Sequence, residues 1–229
     1  MAGLNCDSSS TCVKTKFIFI LKIDRLIYFL YSFVKKRDEK EKVRERIIRV
    51  ASDLFYRQGY NSTGINQIIA EADIAIGSLY NHFSSKTDLL QAYLVKEESE
   101  WLEGFENSMA KISDPGRKLL ALVDYRKKRQ QTSNFAGCHF IKITSETGET
   151  NPSVSAFVKA HKAKQKHLIR TLAEECYAGK PGSDIDSITE NIFLLIEGAV
   201  VTSTINKQND SFDQVKKLLR AYYLNFLII

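Results

Sequence analysis

Residues 62–86, "STGINQIIAEADIAIGSLYNHFSSK", restrict the fold more than any other stretch of the chain. Ile65, Ile68, Ile69 and Ala72 recur at helical spacing and give one buried face to a short helix, with Ser62 or Thr63 placed to cap it. The pattern stops at Asp73, a residue type that tolerates left-handed backbone. It restarts after a three-residue break as a second short helix over about Ile76–Phe83, whose Leu79 and Phe83 lie four apart and would lock it to a helix before it. Two short helices joined by so tight a turn make a helix-turn-helix. The outer side of the second is slim at Gly77 and Ser78, so its backbone could approach a surface closely. Tyr80, His82 and Lys86 carry a phenol, an imidazole and an ammonium, groups that hold phosphates. Ala75 and Ile76 offer only apolar groups, which suit thymine methyls in a major groove.

The flanking sequence supports an all-α fold. There are only three prolines in 229 residues, and short turn-flanked apolar alternations are few. Before the motif, Val43, Ile47, Val50, Ala51, Leu54 and Phe55 trace a helix that stops near Gly59. After it, Ser/Thr capping signals open a long helix, and "SDPG" at 113–116 marks a boundary. Further helices are expected over about 117–131, around 141–147, from Asn151 through "NPSVSAFVKAHKAKQKHLIRTLAEECY", over 184–206, and from Phe212 to the C-terminus. The last places Val215, Leu218, Leu219, Tyr222 and Phe226 on one face. Three domains are drawn: 1–34 as an extension, 35–86 as a helix-turn-helix DNA-binding domain of three helices, and 87–229 as a helical ligand-binding and dimerisation domain.

Across "RIIRVASDLFYRQGYNSTGINQIIAEADIAIGSLYNHFSSKTDLL" the chain resembles the DNA-binding domain of the TetR family of bacterial transcriptional regulators. The resemblance rests on Ala51, Leu54, Phe55, Gly59, Tyr60, Thr63, Ile68, Gly77, Leu79, Tyr80, His82, Phe83, Lys86 and Leu89 in fixed spacing. It implies that Thr63, Tyr80, His82 and Lys86 hold phosphates, while Ala75, Ile76, Gly77, Ser78 and Asn81 face bases. The turn glycine of the family is Asp73 here, and its serine cap is Ala75, a loss worth about 1 kcal/mol to the recognition helix. That helix has no arginine to read guanine, so an AT-leaning operator is expected, with Lys35, Lys36 and Arg37 reaching along the backbone or minor groove.

The resemblance further implies a homodimer with recognition helices about 34 Å apart. The last two helices are its expected interface, through Ile192, Leu195, Ile196, Ala199 and Val200, with Gly198 allowing close approach. The stretch after Asn134 resembles the branch of the family that includes the electrophile-sensing N-ethylmaleimide repressor. Cys138 would then sit at a helix N-terminus, where the dipole favours the thiolate. That branch pairs its cysteine with a lysine from a later helix, and 200–204 contains none. The plain reading of Cys138 is a buried small residue. Trp101, Phe105, Phe135, Phe140 and Phe157 are candidates for a small-molecule pocket or simply core aromatics. His161 and His167, six apart in a lysine-rich run, read as a solvated face.

The N-terminal "KFIFILKIDRLIYFLYSFVKKR" contains 12 Leu, Ile, Phe or Val between Phe17 and Val34, but also Lys22, Asp24 and Arg25 near its middle. Roughly −5 kcal/mol from the apolar residues meets roughly +9 kcal/mol from three central charges, so stable transmembrane insertion is not expected. The segment reads either as an extension packing on the body or a membrane surface, or as upstream sequence translated from a misplaced start. The rival function that uses it is a membrane-associated helical adaptor. Cys6, Cys12, Cys138 and Cys176 have no CxxC spacing, so neither a zinc site nor a redox dithiol is implied, and reduced thiols in a cytoplasmic protein are expected. Paired carboxylates, glycine-rich phosphate loops and metal-ligand spacings do not occur in the sequence pattern, so neither an enzyme nor a bound cofactor or metal is expected. The net charge of +6 permits a double-stranded DNA partner.

Overall fold

The computed structural model describes residues 43–148 and 150–223, and among these there are helices and turns but no strand. The expectations for 1–34, for Lys35, Lys36 and Arg37, and for the side chains of Tyr222 and Phe226 lie outside the described residues.

Helix α1 occupies 43–57 and buries Ile47, Ala51, Leu54 and Phe55 on the predicted face. Gly59 ends it at φ +97°, a left-handed backbone that favours glycine. Helix α2, Ile65–Glu71, is capped by Gly64 rather than by Ser62 or Thr63 and buries Ile68. Asp73 adopts φ +50° in the turn, as its residue type allows. Helix α3 covers Ile76–Tyr80 with Asn81 as its C-cap, shorter than the stretch to Phe83 expected from the spacing; the Asn81 N–H still bonds the Gly77 carbonyl at 3.0 Å, and the turn beyond closes through the Phe83 N–H to the Leu79 carbonyl at 2.9 Å. Five residues cannot hold a helix on their own. Leu79 and Phe83, both buried, supply the stability by packing into the α1–α2 core.

Helix α4, Lys86–Met109, opens on Ser85, whose hydroxyl accepts the Asp88 N–H at 3.0 Å. It runs for ~36 Å. Its first turns give Leu89, Leu90, Tyr93 and Leu94 to the core shared with α1–α3, and its last give Trp101 and Phe105 to the helices beyond. One rod therefore joins the two halves. Helix α5, Pro115–Thr132, is capped by Asp114 and carries proline in its first turn. Helices α6, His139–Thr147, and α7, Pro152–Cys176, follow, the latter capped by Asn151. Helix α8, Ile185–Asn206, is capped by Asp184 and stops where Lys207 turns left-handed. Helix α9, Asp210–Leu218, continues as a π turn over Leu219–Tyr223. Helices α5, α7, α8 and α9 pack as a bundle, and Lys127–Asp213 at 2.7 Å and Lys216–Asp124 at 2.6 Å tie α9 to α5.

Three expectations change in this bundle. Of the residues assigned to a dimer face, Ile192, Ile196, Ala199 and Val200 are buried inside the chain itself. The apolar surface left outside is Leu194, Val201, Ile205 and Leu218, with Gly198 open beside it. Period alone marks α8 as apolar all round and does not say which side the chain's own helices take. His161 is not solvated: it is 0% exposed, stacked on Phe140 at 3.7 Å, and bonded to Glu98 and Gln165. His167 is exposed, as expected. Leu218, expected on the packed face, is exposed, while Phe212, Val215 and Leu219 are buried. Among the described helices α8 is long and apolar enough to cross a membrane, yet its inner residues belong to the core.

Candidate nucleic-acid interface and sensor cavity

The outer side of α3 is bare. Ile76 is 57% exposed and Tyr80 51%; Ala75, Gly77 and Asn81 are exposed with them, and Ser78 is half-buried. A Cβ added at Gly77 would meet nothing within 4 Å. The opposite side is fixed by Leu79 and Phe83, so exposure and rigidity alternate along a single turn. No side chain caps this helix at Ala75. The left-handed turn before it is held instead by Arg46, whose guanidinium donates to the Asp73 carbonyl at 3.2 Å. Nothing in the sequence pattern marks Arg46 for this contact, because it spans 27 residues and has no local signature.

Lys86 stands at the start of α4, where its charge opposes the positive end of the helix dipole. Its ammonium lies 4.2 Å over the Tyr60 ring, and burial lowers its pKa, with Glu146 acting in the opposite sense. Positive charge doubled at a helix N-terminus is a natural seat for an anion. His82 is half-buried beside Phe83, ring centroids 6.4 Å apart. Thr63 departs from expectation: it is buried, donates its hydroxyl to the Gly59 carbonyl at 2.7 Å and accepts from Gln58 at 3.2 Å. Its side chain closes the α1–α2 turn and does not reach the surface that Tyr80 and Lys86 share.

The second site is a cavity of about 240 Å³ between α1, α4, α5 and α6. Trp101, Phe140 and Cys138 contribute to its wall together with Glu97, Arg126 and Arg129. Of the five aromatics singled out, only Trp101 and Phe140 line it; Phe105 is fully buried against Trp101 and Tyr125, and Phe135 and Phe157 do not face it. Cys138 is the N-cap residue of α6, as expected, with no side-chain cap bond, and it is buried. A lysine does approach it, from a helix that the sequence pattern did not suggest: Lys162 of α7 lies 3.8 Å from Sγ and 2.6 Å from Glu197, which also holds Arg126 at 3.0 Å.

The cavity is buried enough to disturb titration. Burial lifts the Glu97 carboxyl above its usual range although Arg129 lies 3.2 Å away. Burial, aided by Arg129, Lys142 and Lys96, depresses His139 to about 3. Its Nδ1 lies 3.4 Å from Glu97, but a neutral ring forms no ion pair there. Neutral His139 shares a 2.6 Å hydrogen bond between its Nδ1 and the Tyr93 hydroxyl and stacks on Tyr56 at 3.6 Å between centroids.

Helix α6 connects this cavity to the reader. Tyr56 of α1 donates its hydroxyl to the Gly137 carbonyl at 2.7 Å, and Lys142 donates to the Tyr56 carbonyl. At the other end of α6, the Glu146 carboxylate accepts the Asn61 N–H at 2.8 Å, just before α2. It fits tightly under Gly59, where an added Cβ would come within 2.9 Å of it. These contacts join residues more than 75 positions apart and carry no sequence motif, which is why pattern reading passed over them.

Residues 47–93 match the model of "Bacterial regulatory proteins, tetR family". The chain is 28% identical over 190 residues to the uncharacterised HTH-type transcriptional regulator YxaF of Bacillus subtilis, covering 81% of this chain and 94% of that one. A TetR transcriptional regulator from Chloroflexus aurantiacus superposes with a TM-score of 0.71 at 25% identity, over 82% of this chain and 96% of that one. The reduced form of Escherichia coli NemR shares the fold, TM-score 0.66 at 16% identity, over 78% and 95% of the two chains.

Proposed function

With this N-terminal domain and these HTH-type relatives the protein is a TetR-family transcriptional regulator, and we propose that it acts as a dimeric repressor released from its operator by a small molecule or an oxidant. The observation that carries the DNA reading is the rigid, bare turn of α3 beside the positive start of α4. Ala75, Ile76, Gly77, Ser78 and Asn81 face the bases of a major groove. Tyr80, His82 and Lys86 hold the phosphates on either side. Residues 75–81 contain no arginine or lysine, which favours an AT-leaning operator.

Two copies associate through the outer side of α8 and α9, where Leu194, Val201, Ile205 and Leu218 are exposed, and so set two recognition helices about one helical turn of DNA apart. A ligand in the cavity, or oxidation of Cys138 beside Lys162, shifts α6; the Tyr56, Asn61 and Glu146 contacts pass that shift to α1 and α2. A regulator of this kind works in the cytoplasm with the DNA it controls.

The test is a gel shift on DNA flanking the protein's own gene, repeated across a salt series and with added oxidants. Operator affinity falling as a power of salt concentration, and release by oxidant that Cys138→Ser abolishes, are expected. Failure to retain any duplex at low salt removes the DNA reading. Release that Cys138→Ser leaves unchanged removes the oxidant and keeps the ligand.

A further inference from the structure

Two side chains of α5 on the wall of the sensor cavity keep hydrogen-bond donors without partners. Arg126 and Gln130 lie one helical turn apart, so they are neighbours on one face, and both line the cavity. Both are buried, Arg126 at 6% and Gln130 at 4% exposure. Among the described residues the Arg126 guanidinium donates once, through one terminal nitrogen to Glu197 at 3.0 Å. The Gln130 side chain only accepts, from the Thr204 hydroxyl at 3.4 Å. The other guanidinium N–H groups and the Gln130 amide NH2 are left over. They are not sealed in: the fully enclosed side-chain atoms without a partner among the described residues belong to Ser52, Trp101, Thr189 and Asn209. For residues this buried on the wall of a cavity, the space that their donors reach is the cavity.

The charges around it point the same way. Glu97 is held by Arg129 at 3.2 Å, and Glu197 is shared by Arg126 and Lys162. Glu100 is offset by Lys96 at 2.5 Å, and His139 is neutral. Three cations therefore meet two carboxylates, an excess of one positive charge where burial makes an unmatched charge costly. Tyr56, Trp101 and Phe140 bring aromatic rings to the same wall. The volume, about 240 Å³, is below the roughly 300–1,000 Å³ of drug-sized sites and suits a molecule of about one ring. Resting on the reading that this cavity receives the effector, we propose that it takes a one-ring aromatic monocarboxylate, its carboxylate on Arg126 and Gln130 and its ring among Tyr56, Trp101 and Phe140. Such a ligand gives both donors an acceptor and supplies the single negative charge that balances the cluster. An organic cation would add to the positive excess and leave both donors idle. A neutral alcohol would match the donors in part and the charge not at all.

The experiment is calorimetric titration of the full-length protein with benzoate at neutral pH, beside benzyl alcohol, benzyltrimethylammonium and acetate. Saturable binding of benzoate is expected, at least about tenfold tighter than benzyl alcohol because the acceptor is charged. Acetate should bind more weakly than benzoate, since it makes no ring contacts. Gln130→Glu, nearly isosteric, gives Arg126 an internal carboxylate. It should weaken benzoate at least about tenfold and leave the melting temperature unchanged or higher. Arg126→Gln should weaken benzoate comparably, with Lys162 at 2.6 Å still holding Glu197. The proposal is overturned if benzoate fails to saturate, if benzyltrimethylammonium binds as tightly, or if Gln130→Glu binds benzoate unchanged. The titration contains no DNA, so such a failure removes the ligand class and leaves operator binding as it stands. Benzoate that binds, and is lost in Gln130→Glu, but does not release operator DNA in the gel shift upholds the site and removes instead the reading of this cavity as the effector seat.

Discussion

Replacing Lys86 by Gln separates a DNA contact from a structural role. In the free protein two effects oppose each other. An ammonium in the first turn of α4 works against the helix dipole by about 0.3–1 kcal/mol. Its position 4.2 Å over Tyr60 returns about 0.5–1 kcal/mol. Lys86→Gln should therefore change stability by no more than about 0.5 kcal/mol. On DNA the effect is large and of a specific kind. Each phosphate neutralised contributes about 0.9 to the slope of log K against log salt, and a dimer presents the residue twice, so the slope should fall by about 1.8. Tyr80→Phe is the control, because its exposed hydroxyl carries no charge. It should weaken binding by about 0.5–1.5 kcal/mol per copy, roughly 5- to 150-fold per dimer, with the slope unchanged. Fluorescence anisotropy of a labelled operator at several KCl concentrations reads both quantities, and thermal melts verify folding. An unchanged slope in Lys86→Gln, with a lowered melting temperature instead, would mean that the lysine serves only the packing of Tyr60.

Leu194→Glu together with Ile205→Glu should leave each chain folded, since both side chains are exposed, but convert the dimer to monomer in sedimentation and lower operator affinity at least about a hundredfold. Leu79→Ala should destabilise by about 2–4 kcal/mol in urea unfolding, whereas Ile76→Ala on the outer side of the same turn should stay within about 0.5 kcal/mol. Burial holds His139 at about 3 and His161 at about 4, below their unfolded value near 6.5, so the unfolded chain binds more protons between these limits. Their contribution to stability is complete above pH 6.5 and is lost as pH falls toward 3; His139→Gln should flatten the fall between pH 7 and pH 5 measured by denaturant unfolding.

What was readable before folding depended on distance along the chain. Every helix signalled by spacing and by a cap from the next few residues was legible, as at Ser85, Asp114, Asn151 and Asp184. The reader's inner side was legible too, because Leu79 and Phe83 lie four apart and mark it by period, whereas the base-facing set of Ala75, Ile76, Gly77, Ser78 and Asn81 follows only from what the resemblance implies. Thr63 misled because a hydroxyl near a helix start serves equally as surface ligand or as an internal turn bond, and only the Gly59 carbonyl 2.7 Å away chooses. Lys162 carries no sequence signal as a partner of Cys138, because the contact is made by α7 across 24 residues and not by α8, where the resemblance would put it.

The sequence by itself determined that the chain is helical, where its helices start, and that a helix-turn-helix with a phenol and an ammonium at its edge lies near residue 80. These follow from local periodicity and from backbone groups that need partners within a few residues. The tertiary structure alone decided which sides of α8 are core and which are left for a second copy, why His161 is buried, and how α6 bridges Cys138 to Asn61. The reason is physical: an apolar or polar side chain has no assigned inside until other helices arrive, and contacts across more than 60 residues are set by packing that no short window contains.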